Sequence, residues 1–223
     1  RIVTPEAELT ADTVVLATGA YTPQLGYFRN ALFPLQSHVV ATASQDSEAW
    51  REAGYPADVG FSDDLDRIAY GGMTERGELV FGGGSNAAYS YLFGGRTRHK
   101  EPPVRGYEAV ERTLARYLPK VGSMPIAHRW TGTLGITMSR VCAMGARGER
   151  RNVLYAFGFS GHGIVMANLA GRVLTDVYSG NDERWRGLPF FEPRLWPIPA
   201  EPFRWLGYHA FTALTGRSPR RSH

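Results

Sequence analysis

The 223-residue sequence has a single cysteine, Cys142, and its six histidines include no His-x-x-x-His pair. One cysteine excludes an internal disulfide and a cysteine-based metal cluster, and the scattered histidines give no metal-ligand spacing. No apolar run approaches the ~18 residues that a transmembrane helix needs. No charged-then-apolar leader opens the chain. We therefore expect a cytoplasmic protein without a metal site and without a transmembrane segment.

Charged residues make up only 21% of the chain, and the net charge is +4. The basic residues are spread among acidic ones, as at Asp63, Asp64, Asp66 and Arg67, and the one basic cluster lies at residues 217–221. This pattern is typical of a solvated surface, so we expect no nucleic-acid partner. With 43% hydrophobic residues, the chain can hold one sizeable core, or one domain plus part of another.

The most informative stretch is Gly-Phe-Ser-Gly-His-Gly at residues 158–163. The apolar run before it, 153–157, predicts a buried strand, and the helical spacing after it predicts a helix over 164–177 that stops at Ser179-Gly180. Glycines allow another group to approach the backbone closely. The helix start directs unpaired N–H groups and partial positive charge to the same place. This turn could therefore bind an anion or an electron-rich carbonyl edge.

Three interpretations of this turn are open. It could serve only tight packing of a strand on a helix. It could be the elbow of a serine hydrolase, although His162 stands where the Gly-x-Ser-x-Gly pattern around Ser160 requires glycine. It could also be a flavin site, in which the helix start stabilises negative charge on the reduced ring.

A second turn of the same kind follows an apolar strand predicted over residues 12–17. Thr18-Gly19-Ala20 forms the turn, and Thr22-Pro23 is predicted as a helix N-cap followed by the first helical residue. Two separate contacts to one extended cofactor would require two such units, each made of a strand, a glycine turn and a helix. Residues 1–10 alternate polar with apolar side chains and are predicted as the second half of a hairpin whose first half is absent.

The remaining pattern predicts an α+β (mixed α/β) fold. Strands are expected over 35–43, 67–70 paired with 78–81, 126–137, and 141–145 paired with 152–157. A short helix is expected over 47–53, a loop over 86–103, an amphipathic helix over 105–118, and a C-terminal tail over 181–223. This tail is predicted to be extended, with a short amphipathic helix over 203–214 that docks on the core. We interpret the glycines at 82–84 and the interior strand glycines, Gly132 and Gly135, as places of close backbone approach.

Five stretches in order resemble the FAD-dependent D-amino-acid oxidase/glycine oxidase superfamily, and within it the amine-oxidising branch that includes γ-glutamylputrescine oxidase. They are ADTVVLATGA at 11–20, PLQSHVVAT at 34–42, ELVFGG at 78–83, HRWTGT at 128–133 and NVLYAFGFSGHG at 152–163. The resemblance implies an antiparallel-sheet substrate domain over 34–140. It also implies the C-terminal part of a Rossmann-like FAD-binding domain, at 1–33 and 141–180.

The resemblance also implies which residues contact FAD and substrate. The implied FAD contacts are Thr18, Gly19, Ala20, Gly132, Gly135, Ser160, Gly161, His162, Gly163 and Ile164. Tyr70, Trp130 and Tyr155 could line the substrate site. Packing in the core is the simpler role for the two tyrosines, whereas for Trp130 a place over the flavin and a place in the core are equal alternatives. His38 could face substrate or could be a hydrogen-bonded histidine within the sheet.

Three departures from the family pattern refine the expected activity. The Gly-x-Gly-x-x-Gly fingerprint is missing, so we expect a missing N-terminal segment of the same enzyme as a partner and an inactive fragment. No arginine occurs after Gly132 until Arg140, which favours an amine over an α-amino acid as the small-molecule substrate. Cys142 lies beyond the position at which related enzymes attach flavin, so FAD should bind non-covalently.

The expected reaction is oxidation of a C–N bond by hydride transfer to flavin N5, followed by hydrolysis of the imine. A neutral amine needs no protein base for this step, so we assign no catalytic residue. The alternatives are a serine hydrolase that uses Ser160 and a non-catalytic binding module derived from the flavoprotein fold.

Overall fold

The computed structural model describes residues 1–55, 59–63 and 67–215. The basic cluster at 217–221 and the acidic positions Asp64 and Asp66 lie outside these ranges. The strands are β1 (Ile2–Val3), β2 (Glu8–Leu9), β3 (Val14–Leu16), β4 (Phe33–Thr42), β5 (Phe61–Ser62), β6 (Ala69–Met73), β7 (Leu79–Gly83), β8 (Tyr89–Tyr91), β9 (Ile126–Ile136), β10 (Ala143–Arg147) and β11 (Val153–Phe157). The α-helices are α1 (Ser47–Ala53), α2 (Val104–Tyr117), α3 (Gly163–Tyr178) and α4 (Phe203–Thr215). Short 3-10 helices lie at Gly19–Leu25, Asn86–Ala88, Phe93–Gly95, Val121–Ser123 and Glu183–Trp185.

The chain divides into two compact units. Unit 1 consists of Arg1–Pro34 and Leu134–Ala200, and unit 2 consists of Leu35–Thr133 and Glu201–His223. Strands β4 and β9 each contain a boundary between the units. The domain limits predicted from the sequence, at 33/34, 140/141 and 180/181, stay a prediction.

Unit 1 contains a three-stranded mixed sheet in the order β10–β11–β3. Strand β11 pairs antiparallel with β10 and parallel with β3, and Leu16 lies opposite Tyr155. Helix α3 packs against this sheet with a buried stripe that includes Val173 and Leu174, as its 3.6-residue periodicity predicts. The predicted strand, turn and helix over 153–177 are therefore confirmed.

Two sequence predictions in unit 1 are wrong. Strands β1 and β2 pair with each other, with Ile2 opposite Leu9, so residues 1–10 contain two strands of a small hairpin and not only its second strand. Thr22 is not a helix N-cap, because a 3-10 helix already begins at Gly19. The Thr22 hydroxyl is buried inside that helix and donates a hydrogen bond to the Gly19 carbonyl at 2.8 Å.

Unit 2 contains a sheet in the order β5–β6–β7–β4–β8, and β9 also pairs with β4. The predicted hairpin of β6 and β7 is confirmed. Helix α2 contributes Val110 and Leu114 to a core that contains Val40 and Phe81, which confirms the predicted amphipathic helix. Helix α1 is capped by the Asp46 carboxylate, which accepts a hydrogen bond from the Ala49 N–H at 2.8 Å.

The glycine-rich end of β7 confirms close backbone approach. A Cβ added at Gly83 would lie 1.9 Å from the Ile68 carbonyl oxygen, and one at Gly84 would lie 2.4 Å from Thr113 Cγ2. The segment predicted as a loop over 86–103 contains β8, whose Tyr-Ser-Tyr sequence is too short to give a strand signal. The tail predicted as extended contains α4, as the helical pattern over 203–214 predicts. Among the described residues, no helix has the length and apolar character to cross a bilayer.

Candidate functional site

The first bend, residues 18–20, follows β3 in unit 1. Gly19 adopts a left-handed conformation with φ 52°, which glycine accepts without a steric penalty. The hydroxyls of Thr18 and Thr22 are joined by a hydrogen bond of 2.9 Å, and Ala20 is buried. Contacts within the protein therefore hold the bend in place. Among the described residues, no atom lies within 4 Å of the Cβ position of Gly19.

The second bend, residues 158–163, follows β11 in the same unit. Gly158, Ser160 and Gly161 all have positive φ, at 73°, 51° and 100°. The Ser160 hydroxyl donates to the Gly158 carbonyl at 3.0 Å, and the His162 N–H donates to the Phe159 carbonyl at 2.9 Å. The serine side chain is thus engaged within its own turn. No hydrogen bond within the described ranges joins it to a histidine.

Both bends contact Gly135 in β9. A Cβ at Gly135 would lie 3.3 Å from both the N and the Cα of Ala20, so the first bend packs directly on this glycine. The Ser160 N–H donates to the Gly135 carbonyl at 3.3 Å, which attaches the second bend to the same residue. Leu32 Cδ2 lies 3.3 Å from the Cβ position of Gly135 and 3.6 Å from that of Gly158. The structure therefore brings the two glycine bends of unit 1 together on one residue.

The N-terminus of α3 is open. His162 occupies the N-cap position but makes no side-chain cap hydrogen bond, and the Met166 N–H is bonded to the His162 carbonyl at 3.1 Å. The N–H groups of the first helical residues, Gly163, Ile164 and Val165, precede that first intrahelical bond and have no helical acceptor. Ile164 and Val165 are 86% and 73% exposed, and no atom lies within 4 Å of a Cβ at Gly161 or Gly163. This terminus can donate hydrogen bonds to an anionic or carbonyl group.

Tyr155, predicted as a substrate contact, is buried in the core of unit 1. Its ring lies 4.8 Å from that of Phe28 and 5.5 Å from that of Phe157. Burial, and secondly the nearby Glu192 carboxylate, raises the pKa of Tyr155 to about 12. This environment matches the packing role that the sequence analysis gave as the simpler one.

The other predicted site residues lie in unit 2. Among the described residues, no atom lies within 4 Å of the Cβ position of Gly132. The close backbone approach predicted at Gly132 is therefore wrong, whereas the one predicted at Gly135 is confirmed. Trp130 is 40% exposed on β9. The half-buried Tyr70 hydroxyl is 3.3 Å from the Ser37 hydroxyl, and the Tyr70 ring lies against Gly82.

His38 is a hydrogen-bonded histidine within the sheet of unit 2, as one of the two alternatives predicted. Its Nδ1 is 2.9 Å from Thr131 Oγ1, and its Nε2 is 3.2 Å from Ser90 Oγ, which is in turn 3.3 Å from His99 Nε2. Burial, and secondly the proximity of His99, lowers the pKa of His38 to about 4. The neighbouring cavity has a volume of about 440 Å³ and is lined in part by His38, Ser90 and His99. Sequence spacing gave no signal that Ser90 and His99 would join His38.

A charged cluster in unit 1 was also missed from the sequence. Asp182, whose side chain is 7% exposed, pairs with Arg151 at 2.8 Å and with Arg186 at 2.9 Å. Arg151 also pairs with Glu192 at 2.8 Å. Arg151 is distant in the chain from the other three residues, and all four line a cavity of about 380 Å³. Their charges are mutually neutralised, which is typical of a structural link between segments. Among the described residues, no group of three or more His, Cys, Asp or Glu side chains is placed to hold a metal ion.

Comparison with known proteins gives a consistent family match. The family model described as FAD dependent oxidoreductase (DAO) matches residues 1–177. Gamma-glutamylputrescine oxidoreductase of Escherichia coli (strain K12) is 27% identical over 187 residues, which cover 82% of this chain and 40% of that protein. A probable oxidoreductase, OrdL, of Haemophilus influenzae is 23% identical over 190 residues, again covering 82% of this chain and 40% of that protein. The chain thus spans about two fifths of the length of these relatives.

Solved structures share the fold. Glycine oxidase from Geobacillus kaustophilus superposes with a TM-score of 0.61 at 19% identity, covering 83% of this chain and 46% of that one. Fructosamine oxidase from Aspergillus fumigatus gives a TM-score of 0.60 at 19% identity, covering 85% of this chain and 44% of that one. These similarities confirm the mixed α/β fold that the sequence predicts.

Proposed function

Because the chain belongs to the family of FAD-dependent oxidoreductases, we propose that it provides the flavin-ring site and part of the substrate site of an amine oxidoreductase. The observation that carries this proposal is the convergence on Gly135 of the two bends, at 18–20 and 158–163, beside an open helix N-terminus.

The residues present fit a flavin. The Cβ positions of Gly161 and Gly163 are open, so a flat ring can approach the backbone there. The N–H groups of Gly163, Ile164 and Val165 would donate hydrogen bonds to the electron-rich edge of the ring. The partial positive charge of the α3 N-terminus stabilises negative charge at that edge. Further proposed contacts are Thr18, Gly19, Ala20, Gly132, Gly135, Ser160 and His162.

FAD, when bound, supplies the two-electron acceptor that oxidises the C–N bond of the substrate to an imine, which water hydrolyses. The chain's own contribution is to bind and orient the reactants, and we propose no protein acid or base. Of the three candidate substrate contacts, Trp130 presents the most surface, since it is 40% exposed, whereas Tyr70 is half-buried and Tyr155 is buried.

We propose an amine as the substrate. No arginine follows Gly132 until the exposed Arg140, so residues 132–139 offer no guanidinium to hold a substrate carboxylate. The relative named gamma-glutamylputrescine oxidoreductase supports the same class. In the enzyme that includes the expected preceding segment, anaerobic reduction of the bound flavin by amines, and not by α-amino acids, would support this assignment. Reduction by α-amino acids alone would contradict it.

FAD binding can be tested with a matched pair of variants in α3. Gly163→Leu places bulk at the proposed ring site, and Gly171→Leu places the same bulk two turns further along the helix. Among the described residues, no atom lies within 4 Å of either Cβ position, so the first side-chain carbon of each leucine meets no neighbour. We expect Gly163→Leu to weaken FAD binding at least ~10-fold, whereas Gly171→Leu binds like the wild type, measured by quenching of flavin fluorescence. Equal affinities for the two variants would contradict the proposed site.

We propose that the FAD is bound non-covalently. Cys142 is 5% exposed, and burial raises the pKa of its thiol, so the thiolate needed for covalent attachment is disfavoured. Acid precipitation of the FAD-loaded protein should release all the flavin to the supernatant. A coloured pellet would show covalent attachment.

Two alternatives have direct tests. The one observation that favours a serine hydrolase is the left-handed conformation of Ser160. Loss of turnover in Ser160→Ala with unchanged flavin content would support the hydrolase. A full-length protein that purifies without colour and remains colourless after FAD is added would favour a non-catalytic module. The expectation that a preceding segment carries the Gly-x-Gly-x-x-Gly fingerprint stays a prediction, which the upstream coding DNA tests. Action in the cytoplasm likewise stays a proposal.

A further inference from the structure

A continuous set of hydrogen-bonded side chains lies beside helix α2 in unit 2. The buried His38 places its Nδ1 2.9 Å from Thr131 Oγ1 and its Nε2 3.2 Å from Ser90 Oγ. Ser90 Oγ also lies 3.3 Å from His99 Nε2. At the other end of the set, Thr131 Oγ1 lies 3.2 Å from the Tyr107 hydroxyl. The two imidazoles are therefore joined through one serine hydroxyl.

These side chains border a cavity of about 440 Å³, which we call the His38 cavity. Its polar lining consists of His38, Ser90, His99 and Arg105. Residues 102–104, Pro-Pro-Val, provide apolar lining. Helix α2 packs directly on the imidazole, because a Cβ at Gly106 would lie 2.3 Å from His38 Cδ2. The cavity thus combines a few hydrogen-bonding groups with apolar surface, as small-molecule sites do.

The hydrogen-bonded set belongs to the face of β9 that is opposite the proposed flavin-side residues. Side chains alternate across a strand, so Thr131 lies on one face of β9, and Trp130 and Gly132 lie on the other. Thr131 contacts His38, whereas Trp130 and Gly132 are the proposed contacts of substrate and FAD. The proposed reaction therefore leaves the His38 cavity without a role.

Arg105 gives the His38 cavity a positive charge that no acidic lining residue balances. Within the described ranges, the Arg105 side chain has no hydrogen bond or ion pair, and the lining contains no aspartate or glutamate. Burial, and secondly the charge of Arg96, lowers the pKa of His99. Burial, and secondly His99, lowers the pKa of His38 to about 4, so both imidazoles are neutral at pH 7. A guanidinium beside neutral hydrogen-bonding groups is suited to one negative charge.

We propose that the His38 cavity binds a small organic carboxylate. Its carboxylate would accept hydrogen bonds from Arg105 and His99, and its apolar part would lie against residues 102–104. The walls would be larger than an inorganic anion needs, since cavities of this size hold organic ligands. This inference does not depend on the proposed reaction.

The hydrogen-bonded set can supply a donor to such a ligand. The Ser90 hydroxyl has one proton and lies between two imidazole nitrogens, so it donates to one and accepts from the other. Donation to His99 Nε2 leaves the proton of the neutral His99 ring on Nδ1, which no hydrogen bond among the described residues engages. That Nδ1–H can then be donated to a carboxylate oxygen. A bound carboxylate would favour this direction of the hydrogen bonds.

Two other roles for the same side chains fit less well. Ser90, His38 and Thr131 stand in the order of a nucleophile, a base and an orienting residue, but the neutral threonine hydroxyl does not stabilise an imidazolium. A base with a pKa of about 4 is also poorly matched to work at neutral pH. A metal ion would meet the positive charge of Arg105 and no carboxylate ligand.

Titration of the 223-residue chain with sodium hexanoate, followed by the NMR signals of the histidine rings, tests the proposal. The signals of His38 and His99 should shift together and saturate with a dissociation constant of about 1 mM. The exposed His128 serves as an internal reference and should not shift. Acetate and hexan-1-ol should each bind at least ~10-fold more weakly, because acetate lacks the apolar part and hexan-1-ol lacks the charge.

A matched pair of variants in α2 tests the role of the guanidinium. Arg105→Gln should weaken hexanoate binding at least ~10-fold, because it removes the charged donor. The control is Arg112→Gln, two turns further along the helix at a side chain that is 69% exposed and does not line the cavity, and it should bind like the wild type. His99→Phe keeps an aromatic ring beside His38 and removes both nitrogens, so it should weaken binding by a similar factor. If one variant loses its native circular dichroism, the other decides the matter.

Four results would overturn the proposal. Hexanoate could leave the signals of His38 and His99 unchanged, or Arg105→Gln could bind hexanoate as well as Arg112→Gln does. Hexan-1-ol or inorganic phosphate could bind as tightly as hexanoate, which would assign the cavity to a neutral ligand or to an inorganic anion. Zinc chloride could shift both histidine signals to saturation while hexanoate does not, which would assign the two imidazoles to a metal ion.

Discussion

Replacement of Gly135 by alanine tests whether the two bends depend on this one glycine. The new Cβ would lie 3.3 Å from Ala20 N, Ala20 Cα and Leu32 Cδ2, which is closer than the ~3.5–4 Å of a relaxed carbon contact. The leucine methyl can move aside. The Ala20 backbone can move only if the 3-10 helix Gly19–Leu25 shifts with it.

The energetic cost follows from this difference. Overpacking of a filled site costs about 1–3 kcal/mol, and a clash that forces the Ala20 backbone to shift belongs near the middle of this range, at about 2 kcal/mol. Alanine also stabilises a strand by about 0.5–1 kcal/mol relative to glycine, because the unfolded chain has less entropy to lose. We therefore expect Gly135→Ala to lower the free energy of unfolding by about 1 kcal/mol. Gly132→Ala, with no atom within 4 Å of its Cβ, should raise it by about 0.5 kcal/mol.

Thermal unfolding measures both variants against the wild type. For a chain of this size, 1 kcal/mol corresponds to about 2–4 °C, so the two alanines should shift the midpoint in opposite directions. Gly135→Ala should also weaken FAD binding, because the displaced Ala20 belongs to the proposed site. If Gly135→Ala stabilises the protein as much as Gly132→Ala does, Gly135 does not hold the first bend. The argument that both bends depend on Gly135 is then refuted.

Two further predictions concern stability. The folded-state pKa of His38 lies at about 4, below its usual 6.5, so between these values the unfolded chain binds a proton that the folded chain does not. The contribution of His38 to the free energy of unfolding is therefore present above pH 6.5 and is lost as the pH falls towards 4. Urea unfolding should show that about 2 kcal/mol is lost between pH 7 and pH 5. The same loss in a His38→Gln variant would refute this assignment. Arg151→Met should lower the free energy of unfolding by about 2 kcal/mol, because it removes a partner from both Asp182 and Glu192. Arg186→Met, at a more exposed arginine, should cost about 1 kcal/mol or less by the same measurement, and equal effects would contradict the proposed role of Arg151.

The sequence predicted the elements around the bends because their signals are local. The apolar run before residue 158 and the periodicity after residue 163 are properties of adjacent residues, and both β11 and α3 formed as expected. The hairpin of β6 and β7 and helix α2 were predictable for the same reason. The order of strand-type and helix-type patterns along the chain also identified the mixed α/β fold.

The failures arose where a structure depends on partners distant in the chain. Nothing in the segment around Ser90 indicates that β8 will pair with β4, or that Ser90 will lie between His38 and His99. Such contacts are set by tertiary structure, which periodicity does not record.

The meeting of the two bends has a single topological cause. Strands β3 and β11 are parallel neighbours, with Leu16 opposite Tyr155, so the polypeptide leaves the sheet at the same edge after each of these strands. The first bend begins two residues after Leu16 and the second begins three residues after Tyr155, which places both just beyond that edge. Ligand sites in parallel sheets lie at this carboxyl edge because the connections and the helix N-termini gather there. A strand order that placed β10 between β3 and β11 would have separated the bends while keeping every local element intact, and no glycine pattern could then have made one site of them.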